Sequence, residues 1–193
     1  MARPNRSEAR REELVPAVAS TFAEYGYRRT TTALLAERCG VQEAILYRLW
    51  PDKRAMFVAA IEFVGSHSEQ VWADVLARDD DASTGAERVL QHEATHLGEF
   101  GLYRILFAGF SETDDAEIAA AMRRVYERFL HFIAAQVKAH RADAGTKGLP
   151  SAELTAWALV GLGTATNLGR ELGLLAGPAR KRLFDAIGRR LLG

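Results

Sequence analysis

The sequence predicts an all-α protein: an N-terminal three-helix helix-turn-helix domain followed by a larger C-terminal helical domain. Three observations predict it. The chain is rich in Ala, Leu, Arg and Glu and is 48% apolar, a composition that suits packed helices. Apolar residues recur at three- and four-residue spacing in segment after segment, and no stretch reads clearly as a strand. Within residues 30–53, two short apolar stretches flank Cys39-Gly40-Val41. A glycine-containing connection of three or four residues between helices is the signature of a helix-turn-helix, whose second helix can lie in a DNA major groove. The 193 residues suffice for one small and one larger helical unit. The predicted division is 1–53 for the helix-turn-helix domain and 54–193 for the remainder.

In chain order, residues 1–6 form a polar, basic arm, read either as a disordered tail or as a source of phosphate or minor-groove contacts from Arg3 and Arg6. The first helix is expected over 7–25, with Leu14, Ala17, Val18, Thr21 and Phe22 inward. Pro16 removes a backbone bond and crowds the preceding turn, so a bend is expected there, or a helix firmly formed only beyond it. Gly26 ends the helix. Thr30 or Thr31 caps the second helix, and a helix N-terminus also favours a phosphate. Leu34, Leu35 and Ala36 face inward; Gly40 supplies the positive φ of the turn. The third helix starts after Val41 and turns Ile45, Leu46 and Leu49 inward. Its first turn carries Gln42, Glu43 and Ala44, which suit adenine, cytosine and a thymine methyl respectively. Pro51 ends this helix at Trp50, and Asp52 can cap the fourth, expected over 53–77 with Phe57, Ala60, Ile61, Val64, His67, Val71, Trp72 and Val75 on one broad face.

Residues 78–81 read as an acidic linker. Helices follow over 84–100, 102–110 and 115–140, the last with Ile118, Met122, Val125, Phe129, Phe132, Ile133 and Val137 inward. Residues 144–148 are a break. The final two helices, 151–175 and 178–192, differ from the rest. The first carries Gly161, Gly163, Ala165, Gly169 and Gly173. Mid-helix glycine costs about 1 kcal/mol relative to alanine, so such a helix is expected to let another approach closely.

The frame Phe22, Gly26-Tyr27, Thr30-Thr31, Ala36, Gly40-Val41, Leu46-Tyr47, Trp50 and Lys53 resembles the TetR/AcrR family of transcriptional regulators. That family's N-terminal domain runs F-x-x-x-G-[FY]-x-x-T-[TS], then I-A-x-x-A-G-V-S-x-G-x-L-Y-x-[HY]-F-x-[SD]-K. The likeness covers residues 14–57. Four positions depart from it: Gln42 stands for Ser, Ala44 for Gly, Leu49 for His or Tyr, and Trp50 for Phe. These departures bear on which DNA is read, and Leu49 removes one phosphate donor. The resemblance implies that Tyr47 contacts a phosphate or thymine and Lys53 a phosphate; Arg48 is expected beside them. It also implies a homodimer through the last two helices, spacing two reading helices about one DNA turn or a multiple apart. A small apolar effector, received by the middle helices, would then release a palindromic operator. The candidate pocket residues are Phe63, His67, Trp72, His96, Phe100, Tyr103, Phe107, Tyr126, Phe129 and Trp157, most of which also serve as core. The expected partner is double-stranded DNA and the expected role that of a repressor. A small-molecule carrier or a helical enzyme on the same fold, which would not read DNA, is the alternative.

The charge balance is zero overall, which argues against a general polyanion coater. Residues 1–54 nevertheless carry ten basic against seven acidic side chains, a modest basic excess that suits a DNA-contacting end. Cys39 is the single cysteine, so no internal disulfide forms and a reducing compartment fits. It reads as a small core residue, with a redox sensor as the alternative. No signal-peptide core or bilayer-length apolar run is visible, and the cytoplasm is expected, without membrane association. His92 and His96 share a helical face and would need a third ligand, such as His67 or His131, to hold a metal; neither a metal nor a cofactor is expected. No nucleophile motif or glycine-rich phosphate loop is present, so catalysis is not expected.

Overall fold

A computed structural model describes residues 6–78, 83–96, 98, 101–145 and 150–193. Among them the chain is helical without strands: α1 (Arg6–Arg29), α2 (Thr32–Arg38), α3 (Glu43–Leu49), α4 (Lys53–Leu76), α5 (Gly85–His96), α6 (Tyr103–Phe110), α7 (Ala116–Ala144), α8 (Ala152–Glu171) and α9 (Gly177–Leu192). The all-α expectation holds. Arg3 of the arm and most of the 78–81 linker lie outside the described residues.

Glycines set several boundaries, because only glycine takes positive φ without strain. Gly26 (φ 74°, ψ 170°) breaks α1 ahead of its final turn. Gly40 (φ 65°) closes α2 in a Schellman arrangement: Val41 N–H donates to Ala36 O at 2.9 Å and Gly40 N–H to Glu37 O at 3.0 Å. α5 is described to His96, and Gly98 stands at φ 75°; residues 97, 99 and 100 of the helix expected over 84–100 lie outside the described residues. α7 runs past residue 140 to Ala144 and meets Gly145 at φ 63°. Pro16 gives no late start: helical geometry extends on both sides of it, and Pro16 is exposed, where its ring meets solvent rather than packed neighbours.

Two compact units result, and they do not follow chain order. The first comprises Met1–His67 and Phe100–Val125; the second comprises Ser68–Glu99 and Tyr126–Gly193. In the first, α1 packs against α2, α3 and α6. Val18, Phe22, Leu35, Leu46, Phe57, Ile61, Ile105 and Val125 are fully buried there, each such side chain contributing about 1.5–3 kcal/mol. Phe22 meets Phe57 edge-on at 4.9 Å, and Tyr27 lies 4.8 Å from Phe57. In the second unit α9 packs on α5 and α8. Leu90, Ala94, Val137, Ala156, Phe184 and Leu192 form its core. A Cβ at Gly188 would collide with Leu90, so glycine there sets how closely α5 and α9 approach.

α8 splits by face. Thr155, Ala156, Thr166 and Asn167 are buried, whereas Leu154, Ala158, Gly161, Ala165, Leu168 and Leu172 form an exposed stripe at alternating four- and three-residue spacing. Leu154 is 63% exposed, Leu168 50% and Leu172 61%. Leu183 and Ile187 of α9 are exposed as well. Gly161 has nothing within 4 Å of a built Cβ, while Gly169 makes room for Leu175, which folds back on it. The glycines of this helix therefore serve different ends: Gly169 and Gly173 shape the turn after α8, and Gly161 keeps an open face flat.

Candidate nucleic-acid interface

The site is built from the N-terminal ends of α2 and α3 and the start of α4. Thr31 is the cap of α2: its hydroxyl accepts from Leu34 N–H at 3.2 Å. Thr30 is not. It is fully buried, and its hydroxyl donates to Gly26 O at 2.6 Å. This bond ties the segment after α1 to the end of that helix, which leaves the Thr30 side chain no surface for DNA. Of the two threonines offered by the sequence, Thr31 is the exposed one.

Gln42 precedes α3 with extended backbone and makes no side-chain cap bond, so its amide is free to bond elsewhere. Gln42, Glu43, Ala44, Tyr47 and Arg48 are all exposed, while Leu46, Leu49 and Trp50 are buried on the opposite side. The seven-residue helix is thus held by an apolar inner face and presents a polar outer one. Two of the outer residues are already engaged: Thr32 donates to Glu43 Oε2 at 2.7 Å, and the Tyr47 hydroxyl lies 3.3 Å from Thr32 Oγ1. Arg48 makes no ion pair or hydrogen bond among the described residues. Leu49, where the family pattern has a donor, is core.

Lys53 is half-buried. Its ammonium donates to Tyr27 O at 3.1 Å and Thr30 O at 3.2 Å and sits 4.5 Å from the centre of the Tyr27 ring. An ammonium has three N–H donors, so two carbonyls leave one for an outside acceptor. Burial and the nearby Asp115 and Asp52 carboxylates raise the Tyr27 phenol above its ordinary range. Asp52 caps α4, accepting from Ala55 N–H at 2.7 Å. Behind the site, Arg11 of α1 donates to Leu49 O at 2.7 Å and so satisfies the end of α3. Neither Arg11 nor Thr32 is marked by the sequence pattern, because each acts on a residue distant in the chain. Cys39 is half-buried at the end of α2, and burial pushes its thiol upward, away from the reactive thiolate.

The aromatic residues expected around an effector fall into separate groups. In the second unit, Trp72 stacks on Phe132 at 4.7 Å and meets Phe129 edge-on at 5.3 Å, with Tyr126 at 6.0 Å from Phe129. Trp72 Nε1–H donates to Glu93 Oε1 at 2.7 Å, and burial holds the Glu93 carboxyl above its ordinary range despite that bond. In the first unit, Phe63 stacks on His67 at 5.7 Å, and Tyr103 meets Phe107 at right angles at 5.8 Å. Trp157 corrects the expectation: it is 58% exposed on the open face of α8, on the opposite side from the core that Ala156 enters. His96 is exposed and stacks on His92 at 4.5 Å. Phe100 lies outside the described residues. No group of three or more metal-ligating side chains occurs among the described residues, and no helix among them is long and apolar enough to cross a membrane.

Residues 15–60 match the family model of bacterial regulatory proteins of the tetR family. The nucleoid occlusion factor SlmA of Pectobacterium carotovorum is 36% identical over 104 residues, covering 53% of this chain and 46% of that protein. The SlmA of Sodalis glossinidius is 35% identical over 109 residues, covering 56% and 48%. The chain thus spans about half the length of the curated relatives it matches. Among solved structures, a transcriptional regulator of the TetR family from Cytophaga hutchinsonii superposes with a TM-score of 0.80 at 16% identity, covering 99% of this chain and 96% of that one. The reduced form of E. coli NemR gives 0.77 at 16% identity, covering 92% and 95%. At such identities the structures speak for the fold alone. The N-terminal segment of this protein thus matches the tetR family of bacterial regulatory proteins, and the fold of the whole chain is the one seen in a solved regulator of that family.

Proposed function

We propose that this protein is a sequence-specific DNA-binding transcriptional regulator, a cytoplasmic homodimer that represses from a palindromic operator and is released by a small apolar effector. The observation that carries this is the outer face of α3: Gln42, Glu43, Ala44, Tyr47 and Arg48 stand exposed on a short helix anchored from behind by Leu46, Leu49 and Arg11. In this reading Gln42, Glu43 and Ala44 meet base edges, and Thr31, Tyr47, Arg48 and Lys53 hold phosphates. Residues 1–53 would supply the reading head and residues 54–193 the effector and dimer functions. The exposed stripe of α8, together with Leu183 and Ile187 of α9, supports a twofold contact between copies through these helices. The group around Trp72, Phe129 and Tyr126 supports an effector site in the second unit.

Selection of the purified protein against random duplexes at near-physiological salt tests the reading. A recovered palindrome, bound at least tenfold more weakly by Tyr47→Ala protein, supports it. Binding that falls steeply with salt but selects no sequence would reduce the function to phosphate contact. No binding, before and after unfolding and refolding to strip any carried ligand, favours the carrier reading.

A further inference from the structure

The second unit holds a cavity of about 450 Å³ that belongs neither to the reading face nor to the aromatic group around Trp72. It opens to solvent where α5, the end of α8 and the start of α9 come together, and it is lined by Thr95, Arg170, Leu175 and Arg180, with Gly173, Ala176 and Gly177 as its backbone wall. Two guanidinium groups therefore line one small space, and no acidic side chain does so among the described residues.

Surface arginines ordinarily lie in bulk water or pair with a carboxylate; Arg170 is exposed, but the half-buried Arg180 fits neither account. The Arg180 side chain makes no hydrogen bond or ion pair among the described residues, and its Nε is buried without a partner inside the protein. Arg170 spends one donor on Gly98 O, which fixes the guanidinium in place and leaves its other donors unspent. Buried polar atoms in native proteins nearly always have partners, and an arginine fork is shaped to meet the two oxygens of a carboxylate or phosphate. The wall adds to this: Ala176 caps α9 without a side-chain acceptor, and no acidic residue stands in the first turn of that helix, so the field of its N-terminus is not offset locally. Leu175 gives the cavity an apolar side.

We propose that this cavity binds a small oxyanion-bearing molecule, a carboxylate or a phosphate monoester, clamped between Arg170 and Arg180. The size is that of a small-metabolite site. The inference does not depend on DNA binding, and its test involves no DNA.

Calorimetric titration of the full chain with inorganic phosphate, glycerol phosphate and succinate, with glycerol and choline chloride as neutral and cationic controls, decides it. The expected result is saturable binding of at least one oxyanion, one per chain, and none of the controls. Arg180→Gln and Arg170→Gln should each weaken that binding about tenfold or more. Arg180 has no partner within the fold, so its variant is expected to keep the parent melting temperature and serves as the test that unfolding cannot confuse. Whether phosphate or succinate binds distinguishes the two sources of the oxyanion. Absence of saturable oxyanion binding at about 10 mM ligand would overturn the proposal, as would oxyanion heats that Arg180→Gln leaves unchanged.

Discussion

Lys53→Met separates a structural from a DNA-contacting role at one position. The substitution keeps the aliphatic stem and removes the ammonium that donates to Tyr27 O and Thr30 O and lies over the Tyr27 ring. A buried charged donor on a carbonyl is worth about 1.5–3 kcal/mol, but this lysine is half-buried and shared between two acceptors that water can partly reach. The cation–π contact adds about 0.5–1 kcal/mol. A total loss of about 2 kcal/mol is expected, which in a chain of this length lowers the melting temperature by roughly 4–8 °C. If the third ammonium proton also meets a phosphate, the variant binds all duplexes more weakly by a similar factor. The slope of log affinity against log salt then falls by about 0.9 per protomer. Chemical denaturation and fluorescence anisotropy at several salt concentrations measure the two effects separately. A variant that loses stability but keeps the parent salt slope would refute the phosphate contact and leave Lys53 as a tether for the end of α1. A variant of unchanged stability would refute the energetic reading of the two carbonyl bonds.

Gly26→Ala is expected to cost about 1–3 kcal/mol in urea denaturation. The backbone stands at φ 74° and ψ 170° with open space around a built Cβ, so a loss below about 0.5 kcal/mol would show that this segment relaxes freely. Leu168→Glu with Leu172→Glu should give a monomer in sedimentation at micromolar concentration, with a fold intact by circular dichroism and weakened operator binding. A dimer that survives both charges would place the interface elsewhere. Glu93→Gln is expected to be more stable than the parent near neutral pH. Burial holds the folded carboxyl above its ordinary 4.5, so the native state binds the proton more tightly than the unfolded state. The stability this supplies is complete below the ordinary value and is lost as pH rises through the folded one. The carboxamide keeps an acceptor for Trp72 and cannot ionise, so melting temperatures of parent and variant should converge below the ordinary carboxyl value of 4.5 and separate as pH rises above it. Parallel pH profiles would refute the argument.

The reading head was legible because its constraints are local. Gly40 had to take positive φ, Pro51 had to stop α3, and Leu46 and Leu49 had to turn inward; all three follow from neighbours within one helical turn. What escaped the sequence depends on long-range contact. Nothing near Arg11 says that it meets Leu49 O thirty-eight residues away, nor does Lys53 announce its carbonyl partners. Thr30 and Thr31 are equivalent as sequence and opposite as structure: Thr30 is buried on Gly26 O, and Thr31 caps α2 from outside. Trp157 was drawn into the pocket by the usual burial of tryptophan. Its own helix argued otherwise, since Leu154, Gly161 and Leu168 share its side of α8 and an apolar stripe does not say whether it is buried within one chain or open to another. Glu93 carries no signature at all: burial lifts its carboxyl, against the hydrogen bond that Trp72 donates to it. Pro16 costs its helix a backbone bond wherever it stands, but on a solvent face water can take the freed carbonyl, and α1 continues through it.

The unit that carries α3 is discontinuous in the chain: α6 and the first part of α7 pack into it from beyond residue 100. During synthesis the reading head therefore cannot close when its own helices leave the ribosome. It must wait for residues up to 125, on the order of several seconds later at ordinary elongation rates. Through that interval the face of α1 that α6 will cover stays wet, and the nascent chain offers an apolar surface to chaperones. Cutting the gene after α4 would make this state permanent, so an isolated head should be a poor folder even though every residue thought to touch DNA lies within it.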